Sequence, residues 1–155
     1  MRKLSLVGLL NKFPLWISEL SNLQGLVLSL SKLADDSLKY LEDLPNLMDL
    51  RLFDSYDGEK LHFGKGCLPK LKELWLGDLK GLNLVKIDTE ALPLLKVLDI
   101  YYCPLLKEVP AGIQLVRNLK RLAVSNMPRE FLARMQANGG LDYPKIQHVP
   151  IVHIK

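Results

Sequence analysis

Residues Leu95 to Leu119 read LKVLDIYYCPLLKEVPAGIQLVRNL. The stretch opens on Leu95, Leu98 and Ile100, an L-x-x-L-x-L pattern, and closes on the first leucine of another copy, Leu119, Leu122 and Val124. Going back along the chain, the same spacing holds for Leu71, Leu74, Leu76, for Leu47, Leu50, Leu52 and for Leu23, Leu26, Leu28, so that four successive steps are each 24 residues long. Weaker copies flank these. Met1, Leu4 and Leu6 stand 22 residues before the first strong copy, and Tyr143 with Ile146 stands 24 after the last, with His148 in its sixth place. Aliphatic residues alternating about a polar one describe a strand with one buried face, and the copies give about six such strands.

A fixed period in the twenties with this pattern defines a leucine-rich-repeat solenoid. The expected fold is therefore α/β: a right-handed coil with about six parallel strands on its concave face, short helical or irregular returns, and a C-terminal cap helix. Positions four and six of each repeat turn into the core, while three, five and seven turn to the open face.

Composition leaves few other classes. At 155 residues and 48% hydrophobic content the chain has the size of one domain with ample core. The net charge of +4 is scattered rather than gathered into a basic stripe, which gives no support to nucleic-acid binding. No run approaches the roughly 20 apolar residues of a membrane span. MRKLSLVGLL starts like a signal peptide, but its apolar part is short, no small-residue cleavage site follows, and Leu4 and Leu6 already belong to the repeat. Only Cys67 and Cys103 are present, on different repeats, and no asparagine is followed two residues on by Ser or Thr. With neither a disulfide framework nor a glycosylation acceptor, an intracellular, cytoplasmic protein is expected.

The return segments follow the period too. Pro14 can start a helical turn before Trp16 and Ile17, with Phe13 ahead of it and Ile17 and Leu20 facing inward. Asp35 and Asp36 open a second short helix with Leu38, Leu41 and Leu44 on one side. Leu20, Leu44, Leu68, Leu92 and Val116 each precede a strand's first leucine by three, and Pro45, Pro69 and Pro93 precede it by two, where a residue without an N–H marks the end of the return. The third coil turns through Ser55 to Lys60 before Leu61, Phe63 and Leu68; the fourth returns through Leu84, Val85, Ile87 and Ala91. Gly58 to Gly66 superficially resembles a phosphate-binding loop, but five residues separate Gly58 from Gly64 where the motif needs four, and Gly66 stands where Ser or Thr must ligate magnesium.

The chain closes differently. Residues 128–137 should form a helix, apolar at Phe131, Leu132 and Met135 and stopped by Asn138-Gly139-Gly140, followed by a strand from Ile146 to Ile154. We read 1–127 as repeats and 128–155 as the capping helix and strand of the same domain. Met1 sits inside a repeat with nothing amphipathic ahead of it, as expected for the tail of a longer chain.

Recognition would fall on the open face. Phe53, Trp75, Tyr101 and Tyr102 are expected on adjacent strands as an aromatic strip, flanked by Arg51 and Lys72, with Asp99 and Arg121 on the same face and Lys72, Lys96 and Lys120 in register at the second repeat position. Aromatic residues and arginine on a rigid surface are what protein interfaces enrich. Six strands about 4.8 Å apart and seven residues long span near 550 Å², against about 800 Å² per partner in an ordinary specific interface, so this face would supply part of a site. Catalysis is not expected. His62, His148 and His153 fall on separate segments without the spacing of a nucleophile or zinc site, and Met1 and Met127 fill repeat positions.

The repeat Leu95-x-x-Leu98-x-Ile100-x-x-Cys103-Pro104-x-Leu106-x-x-Val109-Pro110-x-Gly112-Ile113-x-x-Val116-x-x-Leu119 resembles that of plant intracellular nucleotide-binding leucine-rich-repeat disease resistance proteins of the coiled-coil type. Pro14-x-Trp16-Ile17-x-x-Leu20-x-x-Leu23 near the start agrees, as do Met127-Pro128-x-x-Phe131, Gly139-Gly140, Tyr143 and His148-Val149-Pro150 at the end. At the repeat's usual turn position only Cys103 matches; Ser31, Ser55, Leu79 and Met127 stand in the others, so irregular turns are expected. The resemblance implies a recognition and autoinhibitory module that senses a pathogen effector, or a host protein the effector has modified, and contacts its own nucleotide-binding domain. It implies no cofactor in this chain, since ADP or ATP would occupy a domain absent from it. The other reading of such repeats is the substrate adaptor of a ubiquitin ligase.

Overall fold

The computed structural model describes residues 2–9, 14–33 and 37–155. Met1, Phe13, Asp35 and Asp36, and the side chain of Leu38, lie outside that description. Nine strands are named in chain order: β1 (Lys3–Val7), β2 (Gly25–Ser29), β3 (Asp49–Phe53), β4 (Lys60–Phe63), β5 (Glu73–Gly77), β6 (Leu84–Ile87), β7 (Val97–Tyr101), β8 (Arg121–Ser125) and β9 (Ile151–Ile154). Two helices follow the repeats, α1 (Arg129–Arg134) and α2 (Tyr143–Ile146).

Seven strands form one all-parallel sheet in the order β1-β2-β3-β5-β7-β8-β9. Its register is that of the repeat: Leu26 pairs with Leu50, Leu50 with Leu74, Leu74 with Leu98 and Leu98 with Leu122. The sixth-position residues Leu28, Leu52, Leu76, Ile100 and Val124 form a second buried ladder, none more than 1% exposed. The first leucine of each repeat lies just before its strand and is buried as well, because the chain makes one tight turn there; the N–H groups of Leu23, Leu71, Leu95 and Leu119 donate to the carbonyls three residues back. The strands of this sheet are five residues long rather than seven, and β9 is four.

The returns hold more order than the sequence suggested. Short 3-10 helices at Leu15–Glu19 and Ser37–Asp43 bury Ile17, Leu41 and Leu44. In the third and fourth coils the return is instead a strand: β4 and β6 pair in parallel, and single bridges join Leu33 to Tyr56 and Lys86 to Ala111. Leu61 and Phe63 of one and Val85 and Ile87 of the other point inward. Gly112 closes this seam, because its φ of 93° suits glycine and a Cβ there would run into the backbone carbonyl of Ile87.

The turns are regular in spite of their varied residues. Gly8, Leu30, Asp54, Asp78, Tyr102 and Asn126, one at the end of each repeat strand, all have positive φ. The N–H groups of the first five donate to the carbonyl ending the next strand. Ser31, Ser55, Leu79, Cys103 and Met127 then turn inward and are buried. Both cysteines are free thiols, and burial is the main cause that pushes Cys67 up to about 12 and Cys103 up to about 11.

The C-terminal end departs from the expected pattern: the helix expected over 128–137 is the shorter α1. The repeat copy at Tyr143 and Ile146 is helical, with Pro144 in its first turn, and the last strand starts at Ile151. Phe131 of α1 is fully buried and Met135, just after it, nearly so. A buried carboxylate fastens this end. Asp142 accepts two hydrogen bonds from Arg134, at 3.0 and 3.1 Å, and one from the Val109 N–H at 3.1 Å, with Lys145 Nζ at 3.3 Å. Burial alone would raise its pKa; these partners together outweigh burial and hold it below the usual carboxylate value.

Candidate protein-recognition surface

The open face of the sheet is built by the alternate residues of the same strands. In β3, β5 and β7 the core residues are buried, while Asp49, Arg51, Phe53, Glu73, Trp75, Val97 and Asp99 are half-buried and Tyr101 is exposed. Parallel pairing fixes which of them meet. One row runs Val27, Arg51, Trp75, Asp99, Ala123, His153; the next runs Ser29, Phe53, Gly77, Tyr101, Ser125; a third runs Gly25, Asp49, Glu73, Val97, Arg121, Ile151.

Arg51 is held from two sides. Its Nε and Nη2 each donate to one carboxylate oxygen of Asp49 at 3.1 Å, and its guanidinium carbon lies 4.7 Å from the centre of the Trp75 ring. The bond to Asp49 is the chief reason that the Arg51 pKa is raised. Trp75 Nε1 is buried without a hydrogen-bond partner. Asp99, next in the row, has its pKa raised mainly by burial, against the longer-range pull of Arg121 and Lys155.

The aromatic residues fall on successive odd-numbered strands but in two rows. Phe53 lies against the bare backbone of Gly77, where a Cβ would come within 2.7 Å of its ring. Trp75 stacks with Arg51. Among the described residues the ring pair in contact within the strip is Tyr101 with Tyr102, 6.5 Å between centroids, and both stay 40% or more exposed. They border an open recess with Asp78, Asn126 and Met127. Lys72, Lys96 and Lys120 are exposed at the entry side of the strands, with no ion pair or side-chain hydrogen bond among the described residues, and Arg121 stands half-buried on β8.

The structure thus brings Arg51, Trp75 and Asp99 together in one row, places Phe53 and Tyr101 on either side of Gly77, and keeps Lys72 and Lys96 at the rim. Strand alternation also puts Asp49, Gly77 and Ala123 on this face, but their roles come from the structure: Asp49 clasps Arg51, Gly77 seats Phe53, and Ala123 stands uncharged beside Asp99. The carboxylate two residues before Arg51 on the same strand face was the legible signal for the first.

Elsewhere, His62 Nε2 lies 2.8 Å from Asp88 across β4 and β6, and the Gly64 N–H of the glycine-rich loop donates to the Glu42 carboxylate at 3.3 Å. That amide already has an anion of its own. Among the described residues no group of three or more His, Cys, Asp or Glu side chains could hold a metal ion, and no helix is long and apolar enough to cross a membrane.

A parallel sheet with 24-residue coils and an inward leucine ladder is a leucine-rich-repeat solenoid, with a face of unrepeated side chains. No family model matches the chain. Curated relatives do. The disease resistance protein RPM1 of Arabidopsis thaliana is 31% identical over 150 residues, which is 97% of this chain and 16% of the relative. The disease resistance protein RPP8 of the same plant is 29% identical across 98% of this chain and 17% of its own length, and a putative disease resistance protein is 35% identical across 92% and 15%. The chain is a leucine-rich-repeat solenoid homologous to part of these plant disease resistance proteins, and it spans about one sixth of their length.

Proposed function

We propose that this chain is the protein-recognition module of an intracellular plant immune receptor, acting without catalysis of its own. The alignment with disease resistance proteins along nearly the whole chain carries this reading. In it the open face, with Arg51, Phe53, Trp75, Asp99, Tyr101 and Tyr102 at its middle and Lys72, Lys96 and Arg121 at its margins, contacts a pathogen effector or a host protein that the effector has modified. The same repeats hold a nucleotide-binding domain inactive until that contact is made, and ADP or ATP belongs to that domain. The setting is the cytoplasm.

Seven strands about 4.8 Å apart and at most five residues long offer no more than roughly 480 Å², so a partner must also use a rim or a neighbouring domain to reach a specific interface. Pull-down from infected and uninfected plant extract tests the proposal. Wild-type chain should recover a protein that the Trp75→Ala and Tyr101→Ala chains do not; equal recovery by all three removes the open face from consideration.

A further inference from the structure

The row Arg51, Trp75, Asp99 carries one chemistry twice, once completed and once not. On the first side of Trp75 the Arg51 guanidinium is chelated by the Asp49 carboxylate, with both bonds at 3.1 Å, and stacked on the ring at 4.7 Å. On the other side stands a second carboxylate, Asp99, directly across the strand pair from Trp75. Asp99 has neither a hydrogen bond nor a cation within 4.0 Å among the described residues; Arg121 and Lys155 act on it only at longer range. Its neighbour in the row beyond is Ala123, which brings no charge, and Tyr101, 46% exposed, stands two residues along the same face.

A carboxylate partly out of water and lacking its own cation is costly to leave alone. Beside it lie an aromatic ring on one side, Trp75, and another along the strand, Tyr101. We infer that this part of the open face takes an arginine side chain of a protein partner, its guanidinium chelated by Asp99 beside Trp75 and Tyr101. Arginine suits the place better than lysine, because its planar fork matches a carboxylate bidentately and stacks on aromatic rings, as Arg51 does on the neighbouring strand. The inference rests on the reading that the open face meets a partner and names the chemistry of that contact.

The test uses the 155-residue chain and a phage-displayed peptide library selected on it. Selected peptides should be enriched in arginine, and replacing that arginine by citrulline, which keeps the shape and removes the charge, should weaken binding about ten- to hundredfold. Asp99→Asn should cost the same factor, and on that variant the citrulline change should cost nothing more. A thermal melt of Asp99→Asn checks the fold, and the citrulline comparison on wild-type chain stands independently of it. Selection without arginine enrichment, selection of no peptide, or unchanged binding to Asp99→Asn would overturn the arginine seat. If such peptides still lose binding on Tyr101→Ala, the open-face reading survives without the seat; if they are indifferent to Tyr101→Ala as well, both fall.

Discussion

Each central strand of this solenoid has two faces made by alternate residues, and the two obey different rules. Inward, Leu50, Leu74, Leu98 and Leu122 are one residue repeated, each 1% exposed or less. Outward, the neighbouring positions read Arg51, Trp75, Asp99 and Ala123, no two alike. The inward face must fill the same space in every coil, so the repeat geometry fixes it; the outward face packs against nothing in common, so it can vary from coil to coil. Repetition marks what holds the fold, and its absence marks where a partner can be read.

Breaking the inward ladder should have the largest effect. Leu74→Ala removes a fully buried side chain from the middle of the stack, and chemical denaturation should show a loss of about 2 to 5 kcal/mol. The cap extends the comparison, because it covers the last inward rung. Asp142→Asn leaves Arg134 and Lys145 without their shared carboxylate and should cost about 2 kcal/mol. The same residue sets a pH dependence. Its folded pKa is lowered, so its stabilisation is complete above the unfolded value near 3.9 and is lost as pH falls through the lower folded value; an acid titration of wild-type chain should lose more stability in that range than one of the Asn variant.

Changes on the outward face should be small or of the opposite sign. Tyr102 holds a left-handed backbone that costs a bulky residue about 1 to 2 kcal/mol, so Tyr102→Asn should raise the unfolding midpoint while weakening partner capture. Trp75→Phe keeps a ring under Arg51 and removes a buried N–H that has no partner; its stability should stay within about 1 kcal/mol of wild type. Trp75→Ala is a less clean probe, since truncation also removes the surface on which Arg51 rests, and Tyr101→Ala isolates binding better.

What was legible in the sequence follows the same division. The period of 24 residues gave the inward ladder and its register, since one slip would turn every leucine outward. The pairing of β4 with β6 was written more faintly, in Leu61 and Phe63 recurring as Val85 and Ile87 at that same period, among polar residues that suggest a loop. The helical fate of Tyr143 was hidden because its spacing fits the repeat, while Pro144 and the Asp142 clasp decide the local structure. Asp142 itself carries no sequence signal, because Arg134 and Val109 reach it only once the cap has folded. On the open face, strand spacing placed Arg51, Trp75 and Asp99 correctly, but the stacking of Trp75 on a cation rather than on Phe53 depends on cross-strand register and on the gap that Gly77 leaves.

The most direct test compares two adjacent residues of one strand, Leu98 and Asp99, by equilibrium denaturation of their alanine variants. Leu98→Ala should lose about 2 to 5 kcal/mol, while Asp99→Ala should stay within about 0.5 kcal/mol of wild type or gain slightly, since it relieves a carboxylate held partly out of water. Equal losses in the two chains would mean that both faces of the strand hold the fold, and that no face is left free to recognise a partner.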